Sequence, residues 1–368
     1  MTMSATPALV GKSPAPGLDD VVAAETMLSH VDGQAGELVV RGHHLAELAD
    51  WSFEQVLELL WSGQTAVKIT AQDIRSQLGK ARLRTFERMQ LLLPGLSTLT
   101  SVEALRLLLS SLPDDETTPH HIMAVAAVPV FAAAIIRNRQ ELSPIAPDAS
   151  LAHSADFLRM LSGTLPSTEK VRALDTYLTT VADHGLNAST FTARVIASTG
   201  AGLFSSVVGA LCALKGPLHG GAPGPVLDML DAIGTEAEIE PWLLNALGRG
   251  ERLMGFGHRI YRVRDPRADV LKHAVSSLKE GSDRIAFAGK VEEAALALLK
   301  EKKPLRPLQT NVEFYTALVL EAVGFPRDSF TNVFAAGRMA GWTAHVLEQE
   351  RTGRLIRPQS RYIGPQPR

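Results

Sequence analysis

The chain has 368 residues, enough for two or three domains at about 150 residues each and for a large buried core. Hydrophobic residues make up 45% and charged residues 21%, which excludes a disordered chain or a fibrous repeat. Lys and Arg number 37 against 39 Asp and Glu, a formal charge of -2, so no overall field draws the protein to nucleic acid or an anionic membrane. Any anion site must be local.

Residues 1–17 are small and Pro-rich with Lys12 as their one charge, and lack the basic and apolar regions of a secretory signal. They are expected to form a disordered tail, and the chain is expected in the cytoplasm. Short apolar runs over 26–41, around Asp32-Gly33 and Gly36, predict a β-hairpin. Everything after it reads helical. Ser52 with Gln55, and Thr100 with Glu103, have capping-box spacing and predict helices over 52–62 and 101–112. The uncharged run 122–136 contains Pro129 and falls short of the roughly 20 residues that span a bilayer, so it predicts a core helix. Amphipathic periodicity predicts further helices over 151–162, 168–182, 188–214, 266–280, 286–300, 311–323 and 329–350.

The expected fold is therefore all-α with a short N-terminal hairpin. Gly and Pro cluster over 215–225, and a return crossing near 307–320 would make 222–320 a small inserted domain. The large domain would then comprise 18–221 and 321–368. The single cysteine, Cys212, excludes an internal disulfide and a Cys-cluster metal site, fits a reducing compartment, and reads as a buried small apolar residue.

Four segments could carry chemistry. In KGPLHGGAPGPVLDML, His219 sits between a Gly-Pro turn and a Gly pair, just before a helix expected near Pro225. Glycines let a ligand approach the backbone, and a helix start offers unpaired N–H groups. The plain alternative is a surface turn histidine. MGFGHRIYRVRDPRADVLK places His258 with Arg259, Arg262, Arg264 and Arg267, four arginines in nine residues. Such forks bind carboxylate or phosphate, although a solvated, salt-bridged helix face fits equally well. Glu313 in TNVEFYTALVLEAVG stands at a helix entrance, where a carboxylate also simply favours the helix dipole. VADHGLNASTFTAR offers Asp183-His184 at a helix end, then Asn187 and Ser189 as possible caps.

Competing motifs are missing. Gly255-Phe256-Gly257 is followed by Ile260 where a dinucleotide fingerprint needs its third glycine, and Gly11-Lys12-Ser13 lacks the upstream glycine of a P-loop. The pairs His43-His44 and His120-His121 point their side chains apart, and neither HExxH nor GxSxG occurs. A zinc or serine hydrolase is not supported.

Taken together, GPLHGG, MGFGHRIYRVRDPRA, NVEFY and GRMAGWTAHVLEQERTGRLIRPQSRYIG resemble citrate synthases in order and spacing, over residues 17–364. The likeness is to the shorter bacterial members. It implies a nearly all-helical homodimer with a large and a smaller inserted domain, no metal, and a CoA thioester as co-substrate. It implies condensation of acetyl-CoA with oxaloacetate through an enol, then thioester hydrolysis. By the same resemblance His219 faces the thioester carbonyl, Glu313 takes the α-proton, and His258 donates to the ketone oxygen of oxaloacetate. Oxaloacetate would be held by His184, Arg267 and Arg338, with Arg357 from the partner subunit. Arg262 matches an arginine facing CoA phosphate, while the backbone at Leu253, Gly255 and Gly257, with Leu218, matches an adenine-binding surface. Ser189 and Phe334 would support the site.

One position departs from the family, whose base is most often Asp. The extra methylene of Glu313 could displace the carboxylate by about 1.5 Å, at a cost of around a hundredfold in rate unless the backbone adjusts. Some short bacterial relatives resemble this chain in having Glu here, which favours adjustment. A 2-methylcitrate synthase using propionyl-CoA is the neighbouring reading, and a helical binding or regulatory protein that has lost turnover is the reading from another class.

Overall fold

In the computed structural model, which describes residue 18 and residues 21–365 apart from 115–116, 221–222, 279–280 and 305–307, the expected hairpin forms around an aspartate turn. The tail assigned to 1–17 lies outside the described residues. Strand β1 (Ser29–Asp32) pairs antiparallel with β2 (Glu37–Val40), Ser29 opposite Val40 and Asp32 opposite Glu37. The Asp32 carboxylate accepts from the backbone N–H of Gln34 and of Ala35, which closes the turn. A two-residue β3 (His43–His44) pairs with β2 and makes a three-stranded sheet where two strands were expected.

The remaining named elements are helices. α1 (Phe53–Trp61) opens on the reciprocal Ser52 and Gln55 box, with bonds of 3.3 Å and 2.8 Å. α2 (Ala71–Met89) was not anticipated, yet it starts on the same device, Thr70 with Asp73. Its sequence is polar overall, and it buries a narrow apolar stripe of Ile74, Leu78, Ala81 and Met89 together with Gly79, Arg82 and Thr85. α3 (Ser101–Ser110) begins where Glu103 accepts from Thr100 N–H. α4 (His120–Arg139) extends the expected core helix to 20 residues, long and apolar enough by composition to cross a membrane. Residues 122–136 are buried without exception, against α2, α3 and other helices, so here the run is protein core.

α5 (His153–Ser162) and α6 (Thr168–Val181) follow as expected. The single helix expected over 188–214 is two, α7 (Ala188–Ala197) and α8 (Leu203–Leu214). Gly200 and Gly202 take φ of +78° and +84°, which side-chain-bearing residues rarely adopt, and this lets α8 fold back along α7. Cys212 is exposed, not buried as expected, because Leu203, Phe204, Val207, Ala210, Leu211 and Leu214 form the inner face of α8.

α9 (Pro223–Ile233) covers the start expected near Pro225, and α10 (Ile239–Gly248) was not anticipated. α11 (Pro266–Ser276), α12 (Ser282–Lys302), α13 (Val312–Val323) and α14 (Phe330–Thr352) match expected helices, with α11 ending and α12 starting four residues early and the other ends within two residues. α14 runs through the core. A Cβ on Gly341 would lie 2.3 Å from the Ala182 carbonyl oxygen, and one on Gly337 would lie 3.1 Å from that of Leu178. Glycine at both places lets α14 press against the end of α6, which sets Arg338 beside the turn that follows α6.

Candidate active site

The turn after α6 carries His184 and is held from below by Asp183. The Asp183 carboxylate accepts from Ser29 Oγ at 2.6 Å and meets His345 Nε2 at 3.2 Å. Arg194 Nη1 lies 3.0 Å from His345 Nδ1 and can only donate, so Nδ1 accepts and His345 donates through Nε2 to Asp183. Burial works against the Asp183 charge, but His345, Ser29 and Arg338 outweigh it and hold the carboxyl below its ordinary value. Asn187 then caps α7 by accepting from Thr190 N–H at 3.1 Å. Ser189, the other residue read as a possible cap, is turned inward.

Ser189 supports His219. Its Oγ accepts from Trp342 Nε1 at 3.1 Å, and its one proton can go to either of two acceptors at 2.8 Å, His219 Nε2 or Asn187 Oδ1. Ser189 N–H also points at His219 Nε2, at 3.4 Å. A backbone N–H can only donate, so it favours an unprotonated Nε2 and leaves the ring proton on Nδ1, facing away from the serine. Burial, then the charge of Arg338, pushes His219 down to about 4, so the ring is neutral at physiological pH. Leu218 beside it is 98% exposed.

The third part of the site is made where two short segments run side by side. Phe256 bridges Thr310, Gly257 N–H donates to Gln309 O at 2.7 Å, and Asn311 N–H donates to Gly255 O at 2.9 Å. Gly255 and Gly257 take φ of +82° and +83°, and a Cβ on Gly255 would lie 2.8 Å from Phe314 Cβ. Their demand for glycine is thus conformational and steric. Asn311 Nδ2 donates to Gly257 O at 2.8 Å while Asn311 Oδ1 accepts from Glu313 N–H at 3.0 Å. One asparagine therefore ties the loop of His258 to the helix start of Glu313.

His258 has a determined tautomer. Its Nδ1 accepts from Ile260 N–H at 3.0 Å and Tyr261 N–H at 3.1 Å, which places the ring proton of the neutral form on Nε2. Arg267 Nη2 lies 3.2 Å from that same Nε2, so two donors stand side by side. An oxygen lodged between them would accept from both. Burial, then Arg267, pushes His258 down to about 4. Arg267 itself is buried and forked onto Asp265, Nε to Oδ1 at 3.0 Å and Nη2 to Oδ2 at 2.8 Å. Asp265 also caps α11 and accepts from Val312 N–H, so it locks α11 to α13.

Two further groups complete the pocket. Arg338 is buried on α14, its Nε donates to Val181 O at 2.6 Å, and its guanidinium lies 4.9 Å from the centre of the half-buried Phe334 ring. Burial pushes it down to about 10 against the opposing pull of Asp183. Among the described residues no carboxylate forms an ion pair with it, so the site holds positive charge in want of an anion. Glu313 is pushed up to about 6, chiefly by burial, with Arg267 opposing. His184 lies at the centre, with its ring 5.9 Å from that of His258 and Nε2 3.1 Å from Tyr261 OH. Burial first, then Arg267, Arg338, His258 and His219, holds it far below the ordinary histidine value.

One chain therefore gathers His184, His219, His258, Arg267, Arg338 and Glu313, with Ser189 and Phe334 behind them. Arg262 is exposed on the loop of His258, and Leu253 is buried. Arg357 is not brought to the pocket by its own chain. It is exposed on the extended segment after α14, which Ile356 N–H pins to Ser198 Oγ at 3.0 Å. Sequence reasoning did not single out Asp265, Tyr261, Trp342 or Asn311 for roles here. Asp265-Pro266 carries a helix-start signal that could have marked Asp265, whereas nothing local marks Trp342. Among the described residues no group of three or more His, Cys, Asp or Glu is placed to hold a metal ion.

The sequence profile described as "Citrate synthase, C-terminal domain" matches residues 17–359. Citrate synthase of Haloferax volcanii is 38% identical over 367 residues, 95% of each chain. A 2-methylcitrate synthase of Mycobacterium tuberculosis is 36% identical over 365 residues, covering 96% of this chain and 91% of the relative. The fold superimposes with a TM-score of 0.84, at 26% identity and over 96% of both chains, on citrate synthase of Thermoplasma acidophilum, solved as a ternary complex with carboxymethyl coenzyme A and oxaloacetate. With profile, relatives and fold in agreement across nearly its whole length, the chain belongs to the citrate synthase family of acyltransferases.

Proposed function

We propose that the protein condenses acetyl-CoA with oxaloacetate and water to citrate and CoA. The observation that carries this reading is the convergence of three neutral histidines, two buried arginines and a carboxyl near 6 on one pocket. Oxaloacetate binds first in this scheme, its carboxylates on Arg267, Arg338 and His184, with Arg357 supplied by a second subunit. Glu313 takes the α-proton of the thioester, and His219 Nδ1–H stabilises the enol oxygen. The enol carbon attacks the ketone carbon, whose oxygen takes the proton of His258 Nε2. Water then cleaves the citryl thioester and releases CoA as the thiol. These steps call on no metal.

Arg262, exposed at the mouth, would meet a CoA phosphate, with Leu218 and the backbone at Leu253, Gly255 and Gly257 beside the adenine. Residues 222–320 act in this reading as a small domain that closes over oxaloacetate, α13 carrying the return crossing. The lone Cys212 suits a reducing, cytoplasmic setting. A second reading, 2-methylcitrate synthesis from propionyl-CoA, is favoured by the relative of that name. One methylene in an apolar pocket discriminates by only about 1–3 kcal/mol.

A thiol-release assay with oxaloacetate and either acyl-CoA tests both. Higher kcat/KM with acetyl-CoA is expected; preference for propionyl-CoA would move the protein to the second reading, and no release with either would overturn both. Arg338→Leu is expected to raise the KM for oxaloacetate about ten- to a hundredfold, the worth of one or more charged hydrogen bonds at about 1.5–3 kcal/mol each. Its thermal midpoint should not fall, since a buried, unpaired charge is removed. Steady-state kinetics and a melting curve check both statements.

A further inference from the structure

The β1–β2 hairpin is prominent in the sequence and left unused by the proposed chemistry, yet it touches two of the three loops that carry pocket histidines, those of His184 and His258. On one side Ser29 Oγ donates to Asp183 Oδ2 at 2.6 Å and accepts from Gly185 N–H at 2.9 Å, so β1 grips the residues flanking His184. On the other side Gly33 O accepts from Arg262 N–H at 2.8 Å. Gly33 also lies so close to the His258 loop that a Cβ there would be 2.4 Å from the Ile260 carbonyl oxygen. At Gly36 a Cβ would be 2.7 Å from Val263 Cγ2. The turn between these contacts is stiffened by the two backbone N–H groups bound to Asp32.

We infer that this hairpin is a splint, and that Ser29 and Gly33 are positioning residues which set the spacing between His184 and His258. The two loops it joins come from chain segments about α6 and before α11, and they meet directly where Tyr261 OH approaches His184 Nε2 at 3.1 Å. With both sets of contacts made, as when residues 222–320 have closed on the dianion, the bar fixes how far apart the two rings stand, and hence how the dianion fits between them. The inference rests on the reading of this pocket as the oxaloacetate site.

The test is Gly33→Ala, read by calorimetric titration with oxaloacetate and by thiol release at saturating acetyl-CoA. To restore ordinary contact the added methyl must push the His258 loop outward by roughly 1 Å, a misplacement that costs about a hundredfold. The expected result is a loss of that order in kcat/KM for oxaloacetate, with the larger part in KM. Ser29→Ala should weaken oxaloacetate binding in the same direction, and Ser29→Thr, which keeps the hydroxyl, should recover it. Gln34→Ser at the exposed tip should behave as the unaltered protein. Unchanged oxaloacetate affinity in Gly33→Ala and Ser29→Ala would overturn the splint, as would a loss in Ser29→Ala that Ser29→Thr does not recover. If Gly33→Ala does not fold, the two Ser29 variants decide alone. Failure of the unaltered protein to bind oxaloacetate is a separate result, which overturns the pocket reading and the splint with it.

Discussion

His219→Ala is expected to lower kcat by about 10²- to 10⁴-fold, the span for losing an oxyanion donor or a general acid–base group. The ring is neutral, its Nε2 faces Ser189, and Nδ1–H is left for a substrate oxygen. Among the described residues of the turn between α8 and α9 its neighbours are Gly216, Pro217, Leu218 and Gly220, none of which has a side chain that can donate a proton. His184, Arg267 and Arg338 remain, so oxaloacetate should bind as before in a calorimetric titration. Thiol release at near-normal rate would remove His219 from the catalytic set.

Glu313→Gln should cost a similar factor and carries a sharper signature in pH. Burial pushes the carboxyl up to about 6, and the ionised form is the one that takes a proton. In the unaltered enzyme kcat should therefore be flat above that value and fall about tenfold per pH unit below it. His219 and His258, both near 4, stay neutral across that range and add no second limb there. The residual activity of Glu313→Gln should lack the limb near 6. Glu313→Asp, despite matching the commoner family residue, should lose about a hundredfold, because the helix start tied by Asn311 is set for the longer side chain and withdrawal by about 1.5 Å is not compensated. A fully active Glu313→Asp would show that this backbone tolerates either length.

Much of the fold was legible because its signals are local. Capping pairs at Ser52 and Thr100 marked two helix starts, and the Asp32-Gly33 turn marked the hairpin. α2 escaped because its apolar stripe is narrow within a polar sequence, although Thr70 and Asp73 offered the same capping signal used elsewhere. The break between α7 and α8 was written in Gly200 and Gly202, but periodicity on both sides of them masked it. Cys212 was misplaced because residue type is a weak guide to burial on a helix with one exposed face.

From the amino-acid order alone came the helical class, the histidines set among glycines, the arginine cluster and the family likeness, since each is a pattern within a few turns of chain. Protonation and charge at the site came from the folded chain. Which nitrogen of His258 holds the proton depends on its own loop closing into a turn, whereas Arg338 is pushed down by burial against the pull of Asp183 and donates to Val181 O, 157 residues away in sequence. The raised carboxyl of Glu313 and the reach of Ser29 to Asp183 likewise depend on burial and on contacts between distant segments. Local spacing carries no information about either, because desolvation and hydrogen-bond geometry exist only once those segments are packed together.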